Sequence, residues 1–212
     1  MSVYTLMFLF LNMSTWGISD AKTPETFSME TNCDQTLSFS DSMILTGSNL
    51  SSSCNMGVAT DGDALGLLIN IASFNLPPEC NTTLEIVHPH GPRISGKLCG
   101  TRLSTKVFNA SVPAIKLQYH SDTPDTDATF NIILTSLKRG PIGSCFDDAF
   151  RCSNNFCIAN TLVCNGVDEC ADNSDETRGC DISQSARLSS MPVFTAVVTL
   201  LAFMSSSFGG HP

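Results

Sequence analysis

The sequence predicts a mainly β protein in two parts: a β-sandwich, then a small disulfide-rich module. Three observations point there. Short β-rich runs alternate with polar turn clusters over the first two thirds of the chain. Ten cysteines fall into one widely spaced group and one dense group. The dense group surrounds a stretch that is acidic rather than apolar. A chain of 212 residues has room for one medium domain or two small ones. Ten cysteines suit a secreted disulfide scaffold better than a cytosolic protein. The formal charge of −9 argues against nucleic acid, whose phosphates attract basic faces.

The strands come first. "LGLLINIASFNL" (65–76), "TLEIVH", "AIKLQYHS" and "ATFNIILTSL" are rich in β-branched and aromatic residues. In the last of these, Phe130, Ile132 and Leu134 alternate with Asn131 and Ile133, a period near two. The intervening "TDGD", "NLPP" and "SDTPDTD" carry the Gly, Pro, Asn and Asp of turns. Many short strands with polar turns argue a sandwich. The run "KRGPIGS" (138–144), punctuated by two Gly and a Pro, reads as the linker to the second part.

The spacing of the first four cysteines carries a resemblance. Cys33, Cys54, an apolar strand, Cys80 followed by "LEIV", "LCG" at Cys99, "LQYHSD" and a closing "ATFNIIL" resemble the CUB domain, an extracellular β-sandwich, over 33–137. The resemblance implies the pairs Cys33–Cys54 and Cys80–Cys99. Many CUB domains bind calcium through acids near one end. Here the Asp of "SD" is present as Asp122, but Thr83 stands where the family has a second Asp. A hard cation needs several charged oxygens, so no calcium is expected in this domain.

The dense group runs from Cys145 to Cys180 with spacing C-x6-C-x4-C-x6-C-x5-C-x9-C. It contains "CNGVDECADNSDE", in which acids crowd together with little apolar material to hold them. Seven acids (Asp147, Asp148, Asp168, Glu169, Asp172, Asp175 and Glu176) face two bases, Arg151 and Arg178. Phe146, Phe150, Phe156, Ile158, Leu162 and Val163 are nearly the whole apolar stock. A chain so short cannot fold on burial alone. Crosslinks, each typically worth about 2–4 kcal/mol, must restrict the unfolded state. A divalent cation among the acids would relieve their repulsion. The EF-hand loop pattern with its Gly is absent. Spacing alone leaves 15 pairings of six cysteines open.

This stretch closely resembles the class A repeat of the low-density lipoprotein receptor: six cysteines in order and an intact "SDE" at 174–176. The resemblance implies the pairs Cys145–Cys157, Cys152–Cys170 and Cys164–Cys180. It implies a Ca²⁺ ion held by side chains of Asn165, Glu169, Asp175 and Glu176 and by main-chain carbonyls of Leu162 and Val167. The family usually has Asp where Asn165 and Glu169 stand, so a weaker site is expected. It also implies that a partner's Lys docks near Leu162, Asp168 and Glu169. Leu162 replaces the aromatic residue that covers the lysine stem in the family.

The two ends speak of location. Residues 1–19 form an uncharged apolar run that breaks into small residues, the pattern of a secretory signal peptide, with cleavage after Ser19 or Ala21. Three sequons, at Asn49, Asn81 and Asn109, agree with a glycoprotein on that route. At the other end, a polar spacer (181–190) precedes an apolar tail (191–212) whose 14-residue core is short of the ~20 residues of a membrane span. A glycolipid-anchor signal fits, with Ser183 or Ser185 as the attachment residue. A short spanning helix and a soluble form are the alternatives.

Chemistry is thin. His88-Pro89-His90 lies in a Pro/Gly turn, and His120-Ser121-Asp122 has triad residue types without a nucleophile motif. Pairing of all ten cysteines leaves no thiol nucleophile. The expectation is a CUB-like sandwich followed by a calcium-binding class A module, and no enzyme. The combination resembles the neuropilin-and-tolloid-like accessory proteins and class A domain-containing proteins with a CUB-like domain. That implies a cell-surface adhesion or accessory protein whose partner presents a basic face. An endocytic or lipoprotein-type receptor, or a secreted regulator, is the alternative.

Overall fold

The computed structural model describes residues 21–62, 64–103, 105–122, 127–138, 144–178 and 180. The expected signal segment (1–19), most of the expected 138–144 linker, and everything after Cys180, including Ser183 and Ser185, lie outside the described residues.

Among the described residues, nine strands form the two sheets of a sandwich. The front sheet has the order β1 (Glu25–Ser28), β3 (Ser42–Gly47), β9 (Thr129–Ser136), β5 (Leu67–Asn75), β7 (Val107–Ala110). The back sheet has the order β2 (Thr36–Phe39), β4 (Ser53–Thr60), β8 (Ala114–Ser121), β6 (Thr82–Val87). Pairing is antiparallel except at one edge of each sheet, where β1 runs parallel to β3 and β2 to β4. The sandwich therefore starts at β1, ahead of the Cys33 boundary read from the cysteines. "ETFS" has too few apolar residues to announce a strand, and its partner β3 lies well downstream.

The core fills the space between the sheets. Met43 and Leu45 of β3, Leu67, Ile69 and Ile71 of β5, and Ile132 and Leu134 of β9 face Met56 and Val58 of β4, Leu84 and Ile86 of β6, and Ile115, Leu117 and Tyr119 of β8. Each is at most 2 % exposed. In β8 the alternation is clean: Lys116, Gln118 and His120 point away from the core and are exposed. At its β6 edge outward-facing Thr83 and Glu85 are buried too, but along β4 and β8 the back sheet has one dry face and one wet face, as antiparallel sheets commonly do.

The front sheet does not. Outward-facing Leu68 and Thr135 sit opposite one another, as do Asn70 and Ile133. Leu68, Ile133 and Thr135 are nevertheless buried, at 0, 6 and 1 % exposure. A third layer covers this face. It is the C-terminal module: β10 (Ala149–Arg151), β11 (Cys157–Ala159), a 3₁₀ turn (Asn160–Leu162) and the one-turn helix α1 (Ser174–Thr177). The Lys138 N–H donates to the Cys157 carbonyl at 2.8 Å, and the Asn70 side-chain amide donates to the Asp168 carbonyl at 3.1 Å. These two bonds seat the module directly on the sheet.

Five disulfides join Cys33 to Cys54, Cys80 to Cys99, Cys145 to Cys157, Cys152 to Cys170 and Cys164 to Cys180, the same pairs that the two resemblances imply. The first two lie in the sandwich and the other three in the module.

Candidate metal centre

The module has a miniature core: Cys152, Ile158, Leu162 and Cys170, flanked by Phe150, Phe156 and Ala159. With so little apolar material, its loops are organised by carboxylates that accept main-chain N–H groups. Asp172 takes the N–H of Asn154 at 2.6 Å and of Ser174 at 3.1 Å. Asp168 takes the N–H of Asn173 at 2.8 Å. Glu176 takes the N–H groups of Asn165 and Gly166, one on each oxygen, at 2.9 and 2.8 Å. Asp175 receives both Glu169 and Cys170 on Oδ2, at 2.8 and 3.1 Å. Gly166 has φ +90°, a backbone state that glycine adopts without steric cost, and this turns its N–H toward Glu176. Bonds from N–H to ionised oxygen are about twice as strong as neutral ones.

Three of these acids converge. One carboxylate oxygen each from Glu169, Asp175 and Glu176 lies within 4.8 Å of the others. Glu169 and Asp175 are fully buried. Burial pushes the Glu169 carboxyl up to about 8; the Asn165 hydrogen bond pulls it down, and the charge of Asp175 pushes it further up. Burial likewise raises Asp175, against the N–H groups that stabilise its charge. Glu169 Oε2 and Asp175 Oδ1 are buried with no hydrogen-bond partner. Orphaned buried carboxylate oxygens are costly, and a hard cation ligated by both would remove that cost. The donor set therefore fits Ca²⁺.

Asn165 differs from the expectation. Its Oδ1 accepts the Val167 N–H at 2.8 Å, and its Nδ2 donates to Glu169 Oε1 at 2.9 Å. The amide thus shows a nitrogen, not an oxygen, to the carboxylates. The partner-docking triplet also changes. Leu162 is 1 % exposed within the module's core, and Glu169 is 0 % exposed. Neither lies on the surface to receive a lysine. Asp168 is half-buried, with its carbonyl turned to the sandwich. A leucine at this place belongs to the module's own small core. Val167 is half-buried in the loop beside Gly166.

Elsewhere, Thr83 is buried on β6, and exposed Asp122 pairs with His120 at 3.2 Å. His88 and His90 sit in the turn after β6. Asn49 and Asn109 are exposed, and Asn81 is half-buried. The contact of module with sheet was missed from sequence. Its signal was present: "LGLLINI" and "IILTSL" put apolar residues at neighbouring positions (Leu67 to Ile69, Ile132 to Leu134), the mark of strands covered on both faces.

Known proteins resemble parts of this chain. The family profile of the low-density lipoprotein receptor domain class A matches residues 143–180. Human membrane frizzled-related protein is 33 % identical over 122 residues, 57 % of this chain and 20 % of that protein. Mouse neuropilin and tolloid-like protein 2 is 32 % identical over 101 residues, 46 % of this chain and 18 % of that protein. The chain spans about a fifth of the length of these curated relatives. Among solved structures, the CUB1-EGF-CUB2 domains of rat MASP-1 align over 62 % of this chain and 60 % of that one, at 12 % identity and a TM-score of 0.40. The chain is thus a two-sheet β-sandwich carrying the Cys33–Cys54 and Cys80–Cys99 pairs, followed at residues 143–180 by a low-density lipoprotein receptor class A domain.

Proposed function

We propose that this chain is a non-enzymatic binding protein of the cell surface, an adhesion or accessory protein whose class A module is held in shape by Ca²⁺. The observation that carries the calcium reading is the pair of buried, unpartnered oxygens, Glu169 Oε2 and Asp175 Oδ1, beside Glu176. Bound calcium would supply the positive charge these acids lack. Glu169, Asp175 and Glu176 would hold it with main-chain carbonyls of Leu162 and Val167, and Asn165 would steady Glu169. The sandwich, with Thr83 in place of an acid, takes no calcium in this reading.

The protein-binding role rests on the kinship with extracellular and membrane proteins and on the acid excess of the module. A partner with a basic face is expected, attracted by Asp168 and by the exposed Asp147, Asp148 and Asp172. Rim charges of this kind set association rate and salt dependence more than affinity. A single weak contact becomes useful when both proteins share a membrane, since tethering raises effective concentration. The secretory signal (1–19), glycans at Asn49, Asn81 and Asn109, and a glycolipid at Ser183 or Ser185 complete the reading. Release from cells by a phosphatidylinositol-specific phospholipase tests the anchor. Calorimetric titration of the full chain with Ca²⁺ tests the site: one binding event is expected, and no heat would end the calcium reading. Asp168→Lys should weaken calcium-dependent capture of a basic partner and flatten its salt dependence. Unchanged affinity and slope would place the contact on another surface.

A further inference from the structure

Asn165 stands where the class A family usually carries an acid, and its surroundings give it another task. Its Nδ2 donates to two oxygens at once. One is Glu169 Oε1, inside the carboxylate cluster. The other is the main-chain carbonyl of Lys22, 143 residues earlier in the chain, at 2.9 Å. Lys22 is the segment that leads into the sandwich. Its own N–H donates to the Thr161 carbonyl at 2.8 Å, so this one residue clips both sides of the 161–165 loop. The Lys22 ammonium reaches Asp41 at 3.4 Å, and Lys138 reaches the same carboxyl at 3.7 Å, which ties the clip to both ends of the sandwich.

The orientation of the Asn165 amide is fixed from two sides. Turning it over would set Nδ2 against the Val167 N–H, donor on donor, and Oδ1 against the Lys22 carbonyl, acceptor on acceptor. An aspartate here could satisfy Val167 but would press a charged oxygen against the Lys22 carbonyl. Only an amide serves both neighbours.

We propose that Asn165 is a bolt between sandwich and module: it fastens the cation-holding Glu169 to the Lys22 carbonyl, so that calcium binding and docking of the module on the front sheet reinforce each other. The coupling rests on the calcium reading above; the bolt itself rests on the hydrogen bonds just given. Calcium fixes Glu169, Glu169 fixes the Asn165 amide, and the amide holds Lys22. In the other direction, docking orders the loop from which Glu169 projects. Asn165 is thus a positioning residue, and its acid-to-amide change has a structural reason.

The test is amide exchange on the full chain, with calcium and after chelation. The reporter is the Lys138 N–H, which bonds to the module's Cys157 carbonyl but is remote in sequence from every cation-holding residue. In the unmodified chain, chelation should speed exchange at Lys138 by about tenfold, as local opening becomes easier. In Asn165→Asp with calcium present, Lys138 should already exchange at the faster rate and lose its response to calcium. The N–H groups of Glu169 and Cys170, bonded to Asp175, should stay protected and show that the module is folded. If they do not, Asn165→Ala with the same readout replaces it. Slow, calcium-responsive exchange at Lys138 in the variant would overturn the bolt. Calcium binding to the unmodified chain without a response at Lys138 would overturn the coupling. A chain that binds no calcium in titration would remove the functional reading and the coupling together.

Discussion

The sandwich and the class A module solve the same problem with opposite materials. The sandwich buries two apolar sheet faces against each other, and its two disulfides add to a core that is already large. The module buries a handful of apolar side chains and relies on three disulfides and a lattice of carboxylate-to-N–H bonds. Apolar burial is non-directional, so the sandwich tolerates change at single positions if volume is kept. Charged hydrogen bonds are directional and leave costly orphans when one partner goes. The module should therefore be brittle where the sandwich is forgiving.

The largest effect should come from Asp175→Asn. The change removes charge from a buried carboxyl that orders two N–H groups and faces Glu169. Calcium affinity should fall by about 100-fold, and oxidative refolding should scramble the three module disulfides. Titration calorimetry and disulfide mapping read both. Native pairing with near-native affinity would show that the module does not depend on this carboxyl. Leu117→Ala is the counterpart in the sandwich. It opens a cavity beneath β8 and should cost about 2–5 kcal/mol in global unfolding. Calcium affinity should not move. A drop in affinity would show that the two regions are more tightly joined than their separate cores suggest.

What the sequence made legible follows the same division. The β-rich run "AIKLQYHS" was legible as a strand, and β8 spans it. The class A resemblance, carried by six ordered cysteines and "SDE", pointed to Glu169, Asp175 and Glu176, and the fold brings these three together. Three things were not written there. Strand β1 is short and pairs across a long stretch of chain, so no local pattern marks it. The orientation of the Asn165 amide depends on Lys22 and Val167, and residue type alone cannot say which atom faces the acids. The burial of Leu162 depends on how few other apolar residues compete for the module's interior. The module's seat on the front sheet was half-legible, in apolar runs too continuous for a sheet with one face in water.

That seat supplies the next prediction. Leu68 points out of the front sheet, away from the core between the sheets, and yet is fully buried. On a solvent-facing sheet Leu68→Ala would change stability by no more than about 0.5 kcal/mol. Under a docked module it should cost about 2 kcal/mol, the lower end for a buried leucine. Denaturant unfolding of the full chain separates the two values. A near-zero change would mean that the module leaves this face in solution.

The smallest effect concerns pH, and it separates the two materials without mutation. Glu169 titrates near 8 in the metal-free fold against an ordinary 4.5, and Asp175 is shifted the same way. Between those values the folded module holds more protons than the unfolded chain. Stability therefore falls as pH rises through that window. Calcium held as proposed would reverse the sign, because it would bind the deprotonated carboxylates and so favour the folded state more strongly at higher pH. Metal-free protein should show its module transition a few degrees lower at pH 7.5 than at pH 5.5. Saturating calcium should raise it most at pH 7.5. The sandwich transition, governed by apolar burial, should barely respond to either variable. A metal-free module that is more stable at pH 7.5 would mean that water or main-chain donors reach Glu169 and Asp175 in solution, and the case for a cation among them would lose its physical basis.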